Sequence, residues 1–308
     1  MKTTRRAFVK GASFAVAGSA LAQRRNASRL PIAFSTLGCP QWKLHKILDF
    51  AEQHGFAAIE LRGLEGNLDL PSHPALSGKN IAQTKRDIAS HGLRIACVSS
   101  STSVGESDPA KRAHELDDAR RFIDLAAGLD APYVRVFGRS DDSEQPVAPT
   151  EEMMSQVAVG LGELGNYAGK RNVTVLMESH DDFTSSTTLG DVLQRAKSDH
   201  VGLLWDAFHT FTGSNEAPEL TVSKLGRWIH HTHLKDAIGS GLERKYVLTG
   251  RGNIPIKRQI ESLHSSGYNG FYCFEWEKVW HPDLEDPEIA FADYARVVGG
   301  YLRELGAG

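Results

Sequence analysis

The sequence contains little cysteine and no long apolar run, and both absences narrow the classes of protein to consider. Cys39, Cys97 and Cys273 are the only cysteines among 308 residues, and they lack the spacing of a metal-binding motif. No disulfide framework is therefore implied. Beyond residue 22 no apolar stretch reaches the roughly 18 residues that a membrane span needs. We expect no stable membrane span once the N-terminal segment is removed.

The chain also has no excess of basic over acidic residues. The chain has 35 Lys and Arg against 38 Asp and Glu, and its first 22 residues hold four of the basic residues and no acid. Without that segment, 31 basic residues against 38 acidic ones leave a net charge of −7. Phosphate backbones repel a chain with this balance, which argues against nucleic-acid binding.

The N-terminal segment has the anatomy of an export signal. The segment has a basic start, an apolar stretch from Gly11 to Leu21 and the small-residue triplet Ala20-Leu21-Ala22. Thr4-Arg5-Arg6-Ala7-Phe8-Val9-Lys10 closely resembles the twin-arginine export consensus; a basic amphipathic helix is the alternative. We predict a twin-arginine signal peptide over residues 1–22, recognised by the export machinery, and a periplasmic or secreted mature protein beginning at Gln23.

From Pro31 onward, short β-rich runs alternate with longer segments whose apolar residues recur three and four apart. The predicted strands are Ile32–Thr36, Ala57–Leu61, Arg94–Ser99, Tyr133–Phe137, Val173–Glu178, Val201–Asp206, Trp228–Leu234 and Gly270–Glu275. The predicted helices include Leu44–His54, Ile81–His91, Ala110–Ala127 and Glu151–Lys170. Gly55, Gly92, Gly128 and Gly267 are expected to cap helices in the left-handed conformation.

Eight strands with alternating helices predict one domain over residues 23–308, a single (β/α)8 TIM barrel of the α/β class. A doubly wound open sheet is the alternative. That fold would need a glycine-rich phosphate loop after its first strand, and Ser35-Thr36-Leu37-Gly38-Cys39-Pro40 does not supply one. A nucleotide cofactor is therefore disfavoured.

Polar side chains recur at the predicted strand ends. Glu60 ends the second strand, and Glu178, Asp206, His233 and Glu275 end the last four. In a closed barrel these ends surround one pocket, where three carboxylates without a counter-ion would repel each other. One divalent cation would hold them together. Oxygen ligands with one imidazole suit Mn²⁺, Mg²⁺ or Co²⁺ better than a thiolate-rich zinc site, although Zn²⁺ is compatible with them.

Several short motifs follow one another in a specific order. They are Ala58-Ile59-Glu60-Leu61, Met177-Glu178-Ser179-His180, Trp205-Asp206-Ala207-Phe208-His209, His231-Thr232-His233-Leu234-Lys235-Asp236, and the region from Gly250-Arg251-Gly252-Asn253 to Phe274-Glu275. In this order and spacing the chain resembles the sugar phosphate isomerase/epimerase family, the xylose-isomerase-like TIM barrels, over about residues 31–305.

The resemblance implies that Glu178, Asp206, His233 and Glu275 bind one divalent metal ion. It further implies that Glu178 and Glu275 act as the acid/base pair and that His209 contacts substrate. The expected activity is isomerisation or epimerisation of a free or glycosidic (keto-)sugar, by proton abstraction next to a carbonyl through an enediolate. A homo-oligomer is compatible with this family.

The chain departs from the sugar 3-epimerase members at two positions. Where those members carry a second Glu and an Arg, this sequence has Thr184 and Gly239. The ordinary ketohexose substrate is therefore in question. The residues that could fill the same space are His180, Asp181, Lys235, Arg244 and Arg251.

Three further residues have two interpretations each. Trp276 could stack on a sugar ring or belong to a packed loop. Glu60 could contact substrate or pair with Arg62. His231 shares the inward face of its strand with His233, and we expect a hydrogen-bonded core residue rather than a fifth ligand.

The same strand-end residues are compatible with other activities. Loss of a β-hydroxyl or β-alkoxyl group would make the protein a keto-sugar dehydratase or lyase. A non-catalytic, exported sugar-binding protein is an alternative of another class. An abasic-site endonuclease would need more metal ligands and a basic groove, and both are lacking.

Overall fold

The structure is a computed structural model that describes residues 29–139 and 148–307. The strands are β1 Ile32–Ser35, β2 Ala58–Leu61, β3 Arg94–Ser103, β4 Tyr133–Phe137, β5 Thr174–Glu178, β6 Val201–Asp206, β7 Ile229–Leu234, β8 Asp236–Ile238, β9 Lys245–Val247 and β10 Tyr272–Phe274. Eight of them form a closed parallel barrel in the order β1-β2-β3-β4-β5-β6-β7-β10. The other two, β8 and β9, pair as an antiparallel hairpin.

Helices follow the barrel strands and surround the barrel. They are α1 Leu44–Gln53, α2 Ile81–Ser90, α3 Pro109–Gly128, α4 Glu151–Gly169, α5 Ser186–Arg195, α6 Ala207–Gly213, α7 Pro218–Leu225, α8 Ile256–Ser265 and α9 Pro287–Glu304. Short 3-10 turns lie at Thr36–Gly38, Leu70–Ser72, Pro74–Leu76, Gly78–Asn80, Gly226–Trp228 and Gly241–Glu243. In the described ranges, none of the helices is long and apolar enough to cross a membrane.

The prediction of a single (β/α)8 TIM barrel is confirmed. All eight predicted strands are present, and their bounds agree within two residues except in β3, which continues to Ser103. The short apolar runs form strands because both faces of a barrel strand are covered, one by helices and one by the interior. The predicted signal peptide at residues 1–22 lies outside the described residues.

One predicted helix cap is wrong. Gly55, Gly92 and Gly267 have positive φ angles of 76°, 65° and 81°, as expected for left-handed caps. Helix α3, however, includes Gly128, and the left-handed residue is Asp130, with a φ of 56°. Gly128 instead allows close packing, because a Cβ there would lie 3.2 Å from the Cδ1 atom of Ile81.

The hydrophobic core lies between the barrel and its helices, whereas the barrel interior becomes polar toward the C-terminal strand ends. Val175 and Met177 of β5 belong to the core between strand and helices, and Glu178 belongs to the buried polar group. This alternation follows the two-residue period of a strand. It brings carboxylate and imidazole side chains together at one end of the barrel.

Candidate metal centre and active site

Four side chains expected to bind metal lie together at the C-terminal end of the barrel. Glu178 ends β5, Asp206 ends β6, His233 lies in β7, and Glu275 directly follows β10. One ligand atom from each residue lies within 4.8 Å of the other three, and all four side chains are buried. The Nδ1 atom of His233 is 3.0 Å from Glu178 Oε1 and 3.2 Å from Glu275 Oε1. The structure thus brings these four residues together.

Local hydrogen bonds fix the orientation of Asp206. Its Oδ1 atom accepts a hydrogen bond of 2.9 Å from the backbone N–H of Phe208, which caps helix α6. The hydroxyl of Ser179 accepts from the backbone N–H of Asp206 at 2.8 Å and donates to its carbonyl oxygen at 3.1 Å. Because Oδ1 is used by the helix cap, Oδ2 is left to face the cluster.

Lys235 is a buried cation beside the cluster. Its Nζ atom lies 2.8 Å from Asp206 Oδ2, 2.5 Å from Glu275 Oε2 and 2.7 Å from Glu277 Oε1. Burial lowers the pKa of Lys235, but Asp206 and Glu275 outweigh this effect and raise that pKa well above its usual value. Lys235 therefore remains charged and is in position to donate a hydrogen bond at the site.

The pKa values of Asp206, Glu178 and His233 are also shifted, each by burial and by the charges of its neighbours. Burial, opposed by Lys235, raises the pKa of Asp206 to about 6. Burial alone would raise the pKa of Glu178, but the positive charges of Arg135 and His233 outweigh burial and lower this pKa. For His233 the neighbouring carboxylates outweigh burial and raise the pKa well above its usual value. The metal-free protein therefore holds His233 as an imidazolium among carboxylates.

The donor set fits a divalent cation. No hydrogen bond reaches the buried oxygens Glu178 Oε2 and Asp206 Oδ2, although Arg135 Nε and Lys235 Nζ lie within ion-pair distance at 3.1 and 2.8 Å. Buried polar atoms normally have partners. Three carboxylates and one imidazole are ligands that Mg²⁺, Mn²⁺ and Zn²⁺ all accept. A cation at this position would give these buried carboxylate oxygens a partner.

Glu60 lies deeper in the barrel than the other carboxylates. Its Oε2 atom is 2.8 Å from Nε2 of His233 and 2.9 Å from Nε2 of His231, and all three side chains are buried. Burial raises the pKa of Glu60, but the two imidazoles outweigh burial and lower it. The proposed pair with Arg62 does not form, because Arg62 Nη2 donates to Ser101 Oγ at 2.9 Å. His231 is the hydrogen-bonded core residue that was expected.

His180 and His209 lie beside the cluster, nearer to solvent. Their ring centroids are 4.1 Å apart, and the His209 Nε2 atom is 3.5 Å from Asp206 Oδ2. Burial holds the pKa of His209 well below its usual value. His180 Nδ1 lies 2.8 Å from Asp181, which outweighs burial and raises the pKa of His180. The pair offers one neutral and one readily charged imidazole to a ligand.

The structure does not bring Trp276 or Arg251 to the cluster. Trp276 is fully buried, its indole N–H donates to the carbonyl oxygen of Glu285 at 3.0 Å, and its ring stacks on Phe274. The reason is the strand period: since Glu275 faces the interior, the next residue faces helix α9. Of the two interpretations of Trp276, stacking on a sugar ring is wrong, and the side chain packs in the core. Arg251 is largely exposed, 3.6 Å from Asp293 of α9.

The sequence analysis did not assign two buried arginines to the substrate site. Arg62 follows β2 and Arg135 lies in β4, next to β5, where its Nε atom is 3.1 Å from Glu178 Oε2. Arg62 Nη1 and Arg135 Nη1 have no hydrogen-bond partner, and burial with the nearby Arg135 lowers the pKa of Arg62 to about 10. A charged residue inside the apolar run Tyr133–Phe137 was the available signal.

Comparison with known proteins gives a consistent result. The family model described as xylose isomerase-like TIM barrel matches residues 48–295. The inosose dehydratase of Geobacillus thermodenitrificans is 26% identical over 249 residues, which cover 71% of this chain and 79% of the relative. The inosose isomerase of Bacillus velezensis is 22% identical over 240 residues, which cover 75% of this chain and 82% of the relative.

Solved structures agree on the fold. An L-ribulose 3-epimerase superposes with a TM-score of 0.72 at 19% identity, covering 89% of this chain and 94% of that one. The IOLI protein with a bound zinc atom superposes with a TM-score of 0.71 at 16% identity, covering 87% and 97%. At these identities the likeness establishes the barrel architecture.

Proposed function

The chain belongs to the family of xylose isomerase-like TIM barrels, and we propose that it is a divalent-metal-dependent isomerase or epimerase of a free or glycosidic keto-sugar. One observation carries the proposal: Glu178, Asp206, His233 and Glu275 present ligand atoms within 4.8 Å of one another at the end of the barrel where such enzymes have their active sites. The relatives named inosose isomerase and inosose dehydratase support sugar-like ketones as substrates.

The bound cation would supply positive charge to a carbonyl oxygen and so stabilise the enediolate that forms when a neighbouring carbon loses its proton. The donor set favours Mn²⁺ among the compatible ions, because it is mostly carboxylate with one imidazole. Glu178, Asp206, His233 and Glu275 would hold the cation.

Glu178 and Glu275 can each perform a second task. In each residue one carboxylate oxygen faces His233 Nδ1, and the other faces a cation: Arg135 for Glu178 and Lys235 for Glu275. These cations favour the deprotonated carboxylates, so both are available to accept a proton. One carboxylate would remove a proton from carbon and later release it to solvent. The other, protonated from solvent, would deliver a different proton to the opposite face or to the adjacent carbon.

The other polar side chains would bind the substrate. Arg62 and Arg135 offer unsatisfied N–H groups from the β2 and β4 side, and His180 and His209 lie nearer to solvent. A ligand held by the residues of β5 to β10 would thus meet further hydrogen-bond donors from β2 and β4, Arg135 lying directly beside Glu178.

A dehydratase is the second candidate, and Lys235 favours it. Its ammonium group lies 2.5 Å from Glu275 Oε2, within the same buried site. After a carboxylate removes the proton next to the carbonyl, Lys235 could give a proton to the departing β-hydroxyl, which leaves as water. The inosose dehydratase relative supports this reaction class.

Deuterium exchange distinguishes these reactions. Metal-loaded protein would be incubated in D₂O with inososes and with free, 3-keto and glycosidic sugars, and the products would be followed by NMR. An epimerase or isomerase exchanges a carbon-bound proton without losing water, whereas a dehydratase forms an unsaturated or diketone product. A sugar-binding protein would show ligand-induced shifts without any exchange.

Glu178→Gln and Glu275→Gln test the residue assignment. Each should lower turnover by about 10²–10⁴, the usual contribution of a general base. One variant should abolish proton exchange, while the other should retain exchange but not form product, because removal and return use different carboxylates. Turnover within a few-fold of wild type in both variants would refute the pair.

A further inference from the structure

Both ring nitrogens of His233 have carboxylate neighbours, but on different sides. Nδ1 faces Glu178 Oε1 at 3.0 Å and Glu275 Oε1 at 3.2 Å, within the candidate metal centre. Nε2 faces the opposite way, toward Glu60 Oε2 at 2.8 Å. Glu60 comes from β2, 173 residues earlier in the chain. This contact across the barrel involves a residue that is none of the four clustered ligands.

We propose that Glu60 is a positioning residue, which accepts the Nε2–H of His233 and thereby directs the lone pair of Nδ1 at the metal. The proposal rests on the metal centre of the proposed function. A neutral imidazole carries one proton, so an acceptor fixed at Nε2 selects the tautomer in which Nδ1 is free to bind. The same bond fixes the plane of the ring.

His231 holds the carboxylate of Glu60 in place. Its Nε2 atom donates to the same oxygen, Oε2, at 2.9 Å, and its ring lies at 76° to that of His233 with centroids 5.9 Å apart. Glu60 Oε2 therefore receives two imidazole N–H groups from β7. Since Glu60 and both histidines are at most 1% exposed, water does not compete for these bonds.

A second metal ion at this depth is the competing interpretation. Glu60, His231, His233 and Cys273 also lie within 4.8 Å of one another. Binding there would require His233 to use both nitrogens as metal ligands, and so to lose both protons. Cys273 packs with Ala33, Ala58 and Ala96 and is fully buried beside the Glu60 carboxylate, a setting that disfavours a thiolate. The geometry therefore favours a hydrogen-bonded support over a second ion.

The test measures metal binding without any substrate. Metal-free wild type and Glu60→Gln would be titrated with Mn²⁺ by calorimetry. We expect one ion per chain in both proteins and an affinity about 10–100-fold lower in the variant, as found for other supporting carboxylates. Glu65→Gln, in an exposed turn, is the matched control and should bind like wild type. His231→Gln should show a smaller loss, because Glu60 keeps its bond to His233.

A measurement on the wild type keeps the test decisive if the Glu60 variant does not fold. Nitrogen-15 NMR of His233 in the Zn²⁺-loaded protein should show Nε2 protonated and Nδ1 bound to metal. Zn²⁺ on Nε2, two ions per chain, or an unchanged affinity in folded Glu60→Gln would overturn the proposal. Wild type that binds metal normally but exchanges no substrate proton would instead refute the proposed function alone.

Discussion

At the scale of single residues, the metal-free site is stabilised by cations that the protein itself supplies. Lys235 contacts three carboxylates, and Arg135 lies beside Glu178. Removing one member of a buried ion pair leaves the others uncompensated, which is strongly destabilising. A divalent ion would provide part of the same compensation.

Lys235→Met should therefore lower the free energy of unfolding of the metal-free protein by about 3–5 kcal/mol. Added Mn²⁺ should restore part of that loss, since it neutralises Asp206 and Glu275. Urea unfolding with EDTA and with Mn²⁺ measures both effects. Lys257→Met removes an exposed ion pair with Glu304 and serves as control. A loss in Lys235→Met no larger than in this control would contradict the prediction.

Metal affinity should depend on pH in a defined direction. The pKa of His233 is raised in the metal-free protein, so metal must displace its Nδ1 proton, and apparent affinity should rise about tenfold per pH unit. The pKa of Asp206 is about 6, so below that pH a second proton competes and the dependence becomes steeper. Calorimetric titrations from pH 5 to 8 measure this slope, and a flat profile would exclude His233 as a ligand.

At the scale of elements, Asp236 fixes the segment that follows β7. Its Oδ1 accepts from the backbone N–H groups of Ala237 and Ile254 at 2.9 and 3.2 Å, and its Oδ2 from those of Gly250 and Gly252 at 2.8 and 2.9 Å. One buried carboxylate thus joins the β8–β9 hairpin to the loop before α8.

Asp236→Ala should leave these N–H groups without their acceptor. Since hydrogen bonds to a charged group contribute about 1.5–3 kcal/mol each, we expect a loss of at least about 3 kcal/mol in unfolding free energy. Amide exchange of Gly250 and Gly252 should accelerate. Asp108→Ala removes the exposed N-cap of α3 and should lose only about 1 kcal/mol. Equal losses in the two variants would show that the Asp236 hydrogen bonds contribute little.

Strand periodicity explains which parts of the site could be predicted. Short apolar runs ending in Glu178 and Asp206 identified the strands, and parallel strands in a barrel bring their ends together. The same two-residue period, if applied beyond β10, would have assigned Trp276 to the core. The contact between Glu60 and His233 was not predictable, because it depends on how far the side chains from β2 and β7 extend into the interior of the closed barrel. A charge inside the apolar run Tyr133–Phe137 does mark Arg135 as unusual, but its contact with Glu178 follows from the register of β4 with β5.

At the scale of the whole molecule, export remains a prediction, because the segment on which it depends, residues 1–22, lies outside the described residues. We propose the twin-arginine route because Arg5-Arg6 precedes an apolar stretch and a small-residue triplet. That route carries folded proteins, so metal could be bound before export, away from ions that compete for the site.

Replacing both Arg5 and Arg6 by Lys should retain folded protein in the cytoplasm while conserving charge. Lys2→Arg, outside the twin-arginine pair, should be exported normally and begin at Gln23 after cleavage. Cell fractionation and N-terminal sequencing of the exported protein measure both outcomes. Normal export of the Lys-Lys variant would refute the route.

The position of β10 has a consequence for the newly made protein. This strand is the last of the barrel to be synthesised, and it fills the gap between β7 and β1. A ribosome-bound chain that has emerged only through β7 carries Glu178, Asp206 and His233, but neither Glu275 nor a closed ring. The complete set of four metal ligands therefore forms only after β10 and Glu275 have been synthesised. A chain terminated or cleaved before Tyr272 would be left with an incomplete site and an open sheet edge, a form that proteases and chaperones can distinguish from the finished enzyme.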